Sequence, residues 1–201
     1  MPQNVIYLFC IIMTYGVFAM DKPMNMKEAL ISREDIFRGR VVSLHVDKVR
    51  LPNGHESVRE CVEHNGGVAI LALDDDNNVL TVTQYRYVFG REMLEIPAGK
   101  LEPGEDPVSA ALRELREETG ASPDEFLPLG TILPSPGCYG ETLHLFLARG
   151  LHFGEARPDE DEFLRADRIP FEEMVRRVLR GEIADGKTVA AVLKAKYLLN
   201  L

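Results

Sequence analysis

Glu114, Glu117 and Glu118 stand at i, i+3 and i+4 within Gly99–Ala121, GKLEPGEDPVSAALRELREETGA. In a helix, at about 100° per residue, that spacing puts all three carboxylates on one face. Three neighbouring negative charges repel one another, so the face needs compensation. A hard divalent cation with oxygen ligands, Mg²⁺ or Mn²⁺, would supply it, and Arg113 or Arg116 can neutralise part of the charge. Taken alone, Glu-x-x-Glu-Glu reads as a solvated acidic face rather than a metal site. The flanking residues predict the helix itself. Asp106 is a good N-cap, Pro107 suits the first helical position, and Gly120 stops the run after Thr119. Val108, Leu112 and Leu115 form a second face, expected to pack on a sheet.

The surrounding spacing weighs against a merely solvated face. Gly99, Glu105, Arg113, Glu114, Glu117, Glu118 and Gly120 fall in the order G-x5-E-x7-R-E-U-x-E-E-x-G-U, U being a bulky aliphatic. With average usage of about 5–7% at each fixed position, chance agreement is on the order of 10⁻⁹ to 10⁻⁷ per window. The segment resembles the Nudix box, departing only at Ala121, which is smaller than the usual aliphatic. The resemblance implies an α+β fold of the Nudix-type α/β/α sandwich with a mixed sheet. It also implies hydrolysis of a nucleoside diphosphate linked to another moiety, with Mg²⁺ (or Mn²⁺) as cofactor. By the same resemblance Glu114 and Glu118 are metal ligands, Glu117 is a further ligand or catalytic base, and the carbonyl of Ala98 is another ligand. Gly99, Glu105, Arg113 and Gly120 are the structural positions of the box, with Glu105 orienting the network through Arg113. Glycines at 99 and 104 are expected to let backbone approach a phosphate chain.

Residues outside the box narrow the resemblance. Gln84-Tyr85-Arg86, Leu94-Glu95-Ile96-Pro97-Ala98-Gly99, Ser135-Pro136-Gly137 with Glu141, and Ile183-Ala184-Asp185-Gly186-Lys187-Thr188 are similar to the ADP-ribose pyrophosphatase branch. Its usual marker is a proline about fifteen residues beyond the box, here Pro136. The likeness extends from about Arg59 to Leu199. Carried over residue by residue, Arg86 contacts the substrate phosphates, as an always-charged fork donor suits. Arg59 and Glu60 help bind substrate, across the interface of a homodimer. Ser135, Pro136, Gly137 and Glu141 shape the terminal-ribose side. In Glu160-Asp161-Glu162 the same resemblance implies Glu160 as the general base and Glu162 as a metal ligand. A solvated acidic loop is the alternative there, because Asp159–Glu162 are all acids and leave the register open. The implied reaction is conversion of ADP-ribose to AMP and ribose 5-phosphate. The alternatives are another nucleotide sugar such as GDP-mannose, or a module that binds ADP-ribose without cleaving it.

These residues need a scaffold, and the chain supplies the signals for one. Phe37–Leu51 reads as a strand region closed by the turn residues Pro52, Asn53 and Gly54, with Val58–Glu63 returning. Gly67–Leu73 and Val79–Tyr87 flank Asp74–Asn78, which lacks the spacing of a calcium loop and reads as a hairpin turn. Met93–Ile96, Thr131–Leu133, Thr142–Ala148 and Phe163–Ile169 are further strands, and Phe171–Arg180 and Thr188–Leu199 are amphipathic helices. No linker-like stretch interrupts 25–201, which is therefore expected to be one domain.

Composition agrees. The 201 residues are 45% hydrophobic and 27% charged, ordinary for a chain with a core, and the formal net charge is −9. That sign disfavours nucleic acid and stable association with anionic membranes, while leaving room for a phosphorylated small molecule whose charge is met by metal ions. Three cysteines, Cys10, Cys61 and Cys138, are too few and too scattered for a disulfide framework, so unpaired thiols in the cytoplasm are expected. Val5–Met20 is almost wholly apolar, without a preceding Lys or Arg and shorter than a membrane span. Residues 1–24 are expected to be an extension outside the fold, a signal or membrane anchor, or a core helix, being the alternatives.

Overall fold

The computed structural model describes residues 25–158 and 162–199. In chain order they form β1 (Ala29–Arg38), β2 (Val42–Arg50), β3 (Glu56–His64), β4 (Gly67–Ala72), β5 (Asn78–Arg86), β6 (Arg91–Glu95) and β7 (Ala98–Lys100). Helix α1 (Pro107–Thr119), β8 (Ala121–Ile132), β9 (Leu143–Phe153), β10 (Leu164–Pro170), α2 (Phe171–Leu179) and α3 (Gly186–Leu199) follow. The apolar N-terminal run, including Cys10, and the three residues Asp159, Glu160 and Asp161 lie outside the described residues.

Every residue of β4 is buried, as a strand covered on both faces requires. Its side chains alternate between two cores. Ala69 and Leu71 join Leu145 and Leu147 of β9, together with Phe171 and Met174 of α2 and Ala191 and Val192 of α3. Val68, Ile70 and Ala72 join Phe146 and Ala148 of β9 and Ala110, Ala111 and Leu115 of α1. One sheet is thus packed between α1 on one face and α2 with α3 on the other, the sandwich that the sequence predicts. The strand order is β7-β4-β9-β8. Its directions are mixed, since β4 and β9 are parallel while β7 and β8 run antiparallel to their neighbours. A second sheet has the order β10-β5-β6, antiparallel throughout, and a third has the order β1-β2-β3.

The described chain divides into two units. The smaller comprises the described residues up to Arg33 together with Asp47–Arg59; the larger comprises Glu34–Val46 and everything from Glu60 onward. Within the smaller unit, Arg33 grips Asp47 through two hydrogen bonds of 2.8 and 2.9 Å. Its Pro52-Asn53-Gly54 turn is closed by the Gly54 N–H on the Leu51 carbonyl.

Three elements differ from expectation. Phe37–Leu51 is not one strand: the chain reverses at Gly39, whose N–H donates to the Val42 carbonyl, so β1 and β2 are separate. The short strand expected at Thr131–Leu133 is the end of the twelve-residue β8. Two prolines, Pro123 and Pro128, disguise it. They are tolerated because β8 is an edge strand with an irregularity between Pro128 and Gly130. The third difference is the inward face of α1. Leu115 is buried as expected, but Val108 and Leu112 are 44% and 38% exposed, and Ala110, Ala111, Glu114 and Glu118 point inward in their place. The Asp74–Asn78 hairpin turn forms as predicted, with Asp74 Oδ1 accepting the N–H groups of Asp76 and Asn78 and Asn77 in the left-handed region.

Candidate active site

Helix α1 is built as its sequence requires. Asp106 Oδ2 accepts the Ser109 N–H at 2.9 Å, Pro107 opens the first turn, and Gly120 closes the last at φ +72°. Gly120 has no alternative, since a Cβ there would stand 2.4 Å from the Gly154 carbonyl oxygen. The helix faces the sheet with its carboxylates because β7 leaves room for them at Gly99. A Cβ at that position would lie 1.9 Å from the Glu114 carboxyl. Gly104, by contrast, has open space around it and serves a turn at φ +80°.

Arg113 ties the acids of α1 to the loop before it. Its Nε and Nη2 each donate to Glu105 at 3.0 Å, and its Nη1 donates to Glu114 at 2.9 Å and to Glu117 at 3.0 Å. The Arg113 hydrogen bonds hold the Glu105 carboxyl below its ordinary range, and the same acids hold the arginine firmly charged. Glu118 has a different environment. It is 1% exposed and accepts the backbone N–H of Ala98 at 3.1 Å. Among the described residues no lysine or arginine hydrogen-bonds to it. Burial pushes its carboxyl up to about 8; the Ala98 N–H opposes this, and the charges of Glu114 and Glu162 add to it. Glu114 is also raised, first by burial and against the pull of Arg113, with Glu162 and Glu117 raising it further.

The structure therefore brings Glu114, Glu117, Glu118, Ala98 and Glu162 together, with Gly99, Glu105, Arg113 and Gly120 as their frame. A buried carboxyl whose ionisation is opposed by burial and by two neighbouring acids is a place for a cation. Oxygen donors from Glu114, Glu118, Glu162 and the Ala98 backbone form a hard set, which fits a divalent ion such as Mg²⁺ or Mn²⁺. Glu160, the expected base, lies outside the described residues. The chain leading to it is pinned to α1, since Gly154 donates to the Gly120 carbonyl and Arg157 to the Glu117 carbonyl, both at 2.8 Å.

Other expected residues are placed as follows. Arg86 ends β5 and donates Nε and Nη2 to the buried Glu95 at 2.7 and 2.6 Å. Glu141 is partly buried, 3.5 Å from His64 Nδ1. Ser135, Pro136 and Gly137 are exposed in a turn where the Ser135 carbonyl accepts the Cys138 and Tyr139 N–H groups. Arg59 belongs to the smaller unit, where it pairs with Glu28 at 2.6 and 3.0 Å. Glu60 is exposed. Glu95, Asp185, Lys187 and Thr188 have no role assigned by the sequence, although they lie in the Leu94–Gly99 and Ile183–Thr188 runs. Among the described residues Cys61 and Cys138 form no disulfide. No helix among the described residues is long and apolar enough to cross a membrane.

The α/β/α sandwich turns its glutamate-bearing helix toward its own sheet, where its oxygen donors suit a divalent cation. The NUDIX domain matches residues 63–192, and the chain belongs to the Nudix family as one of its hydrolases. Among its relatives, a protein of Bacillus methanolicus named methanol dehydrogenase activator is 46% identical over 168 residues, 83% of this chain and 91% of that one. An ADP-ribose pyrophosphatase of Bacillus subtilis is 42% identical over 170 residues, 84% of this chain and 92% of its own. A solved structure of an ADP compounds hydrolase shares the fold with a TM-score of 0.79 at 23% identity, covering 90% of this chain and 97% of that one.

Proposed function

We propose that the chain hydrolyses the pyrophosphate bond of ADP-ribose to AMP and ribose 5-phosphate with Mg²⁺ (or Mn²⁺). The single observation that carries this reading is the buried Glu118 carboxyl beside Glu114 and Glu162, with no lysine or arginine among the described residues hydrogen-bonded to it. The 42% relative named for ADP-ribose supports the choice of substrate. Glu114, Glu118, Glu162 and the Ala98 carbonyl would hold the cation, which when bound neutralises a pyrophosphate and makes a nearby water more acidic.

The chain's own groups do the rest. Arg86 binds a phosphate of the substrate through its guanidinium. Glu160 accepts the proton of the attacking water, whose oxygen bonds to one phosphorus as that phosphorus loses its bridging oxygen to the other phosphate. Glu117, held by Arg113, serves as a further ligand or base. Glu141 with Ser135, Pro136 and Gly137 shapes the terminal-ribose side, and Arg59 and Glu60 of one subunit complete the pocket of the other in a cytoplasmic homodimer. The test is to identify products after incubation with a panel of nucleotide sugars and Mg²⁺. AMP and ribose 5-phosphate, with the highest kcat/KM for ADP-ribose, is the expected result. A preference for GDP-mannose overturns the substrate. Tight ADP-ribose binding without turnover in Mg²⁺ or Mn²⁺ overturns the enzyme reading in favour of a binding module.

The 46% relative favours a second reading, in which the chain stimulates a dehydrogenase. Methanol oxidation by a methanol dehydrogenase, measured with and without the protein, separates the two.

A further inference from the structure

Glu95 is a carboxylate placed where the fold gives it almost no water, its side chain being 2% exposed. Burying such a charge costs several kcal/mol unless it is well paired. Two cations pair it. Arg86 donates Nε to Oε1 and Nη2 to Oε2, a bidentate grip from the neighbouring strand. Lys187 donates to the same Oε2 and also reaches Asp185 Oδ1 at 2.9 Å. Asp185 Oδ2 in turn accepts the N–H and O–H of Thr188 at the start of α3, and Thr188 Oγ accepts the Ile96 N–H at 3.0 Å. Two acids and two bases thus lock the ends of β5 and β6 to the first turn of α3. Replacing a buried ion pair by apolar side chains of similar volume is often neutral or stabilising, so stability alone is a weak account of the charges.

What the network leaves open is one edge of Arg86. Nη1 makes no hydrogen bond among the described residues, and the Arg86 side chain is 38% exposed. The carboxylate site is close by. Ala98, three residues beyond Glu95, donates its N–H to Glu118. Glu118 lies within electrostatic reach of both Arg86 and Lys187. An Arg86 without its anchor would be drawn toward those acids and would have to be ordered again by each substrate molecule. An anchored Arg86 has lost that freedom in advance.

We propose that Glu95 is a positioning residue for phosphate recognition, fixing one edge of the Arg86 guanidinium so that the other edge meets the substrate's pyrophosphate. This rests on the pyrophosphatase reading above. The experiment measures ADP-ribose hydrolysis with Mg²⁺ by the unaltered chain, Glu95→Gln, Arg86→Lys and the double variant, with Mn²⁺ affinity measured alongside. Losing one charge-assisted contact should raise KM roughly tenfold or more in each single variant, with kcat changed much less. The double variant should be no worse than the worse single one, because both substitutions remove one arrangement. Mn²⁺ affinity of Glu95→Gln should stay unchanged, which general damage to the fold would not allow. An unchanged KM in Glu95→Gln, a shifted Mn²⁺ affinity, or losses that multiply in the double variant overturns the proposal. If Glu95→Gln does not fold, Glu95→Asp takes its place in the same cycle, keeping the charge but shortening the reach. An unaltered chain that hydrolyses no nucleoside diphosphate compound overturns the pyrophosphatase reading together with this one. An active chain indifferent to Glu95 overturns this one alone.

Discussion

Gly99 and Glu114 compete for one place in the molecule: a side chain on residue 99 would put its Cβ 1.9 Å from the Glu114 carboxyl. The glycine of β7 is thus the space in which a carboxylate of α1 sits. Gly99→Ala should push Glu114 out of that space and separate it from Glu118. The expected outcome is a fall in kcat/KM of roughly 10²-fold or more, the scale of losing a placed electrostatic group. Mn²⁺ should also no longer raise the melting temperature. Gly104→Ala, where a Cβ meets nothing within 4 Å, should keep Mn²⁺ stabilisation and lose only the modest stability that its φ of +80° costs. Equal effects of the two substitutions on Mn²⁺ stabilisation would remove the steric account.

Glu118 makes the metal-free fold sensitive to pH in an unusual direction. Its carboxyl is pushed from an ordinary 4.5 up to about 8, chiefly by burial. Between those values the folded chain holds a proton that the unfolded chain has released, so stability falls as pH rises through the window. Below about 4.5 the contribution is fully present, and above about 8 it is gone. Acids such as Glu173, held down at about 2 by Arg176 and Arg177, lose their contribution only at much lower pH and do not mask the effect. In a chelator, the melting temperature of the unaltered chain relative to Glu118→Gln should fall from pH 5 to pH 8. A cation must displace the same proton, so stabilisation by Mg²⁺ should grow over that range. A flat difference between the two proteins would mean that Glu118 is already ionised.

Glu118→Gln should also separate folding from catalysis. The amide fills the same volume and carries no charge, so the variant should be at least as stable as the unaltered chain at pH 8 without metal. Its kcat should drop on the order of 10³-fold. Circular dichroism melts and steady-state rates measure the two sides, and unchanged activity would take Glu118 out of the cation site.

The parts of this arrangement that were legible in the sequence are local ones. Asp106, Pro107 and Gly120 mark α1 because a cap, a first-turn proline and a left-handed stop act within a few residues. The alternation of β4 and β9 between two cores follows from a period of two. The inward face of α1 was not legible, because rules of amphipathicity bury Val108 and Leu112, whereas the molecule turns Glu114 and Glu118 inward. Strand β8 was hidden by Pro123 and Pro128, which only its place at the sheet edge permits. The pairing of Glu95 with Lys187 joins residues 92 apart in the chain. No spacing rule connects them; only the meeting of the first turn of α3 with the end of β6 does.

The acidic run Asp159–Glu162 offers a test of register. Glu162 acts on both Glu114 and Glu118 through its charge, which suits a ligand of the cation. On the proposed reading Glu160, two residues earlier, is the base. Glu162→Gln should weaken Mn²⁺ binding by roughly tenfold or more, as removal of one charged ligand from a hard-ion site does, and high metal should recover much of its rate. Glu160→Gln should leave Mn²⁺ affinity nearly unchanged while lowering kcat roughly 10²–10⁴-fold, the span of general-base catalysis, with no recovery at high metal. Opposite phenotypes would exchange the two roles. Equal, small effects in both would make the run a solvated loop and require the base to come from α1, where Glu117 is the carboxylate that Arg113 already holds in place.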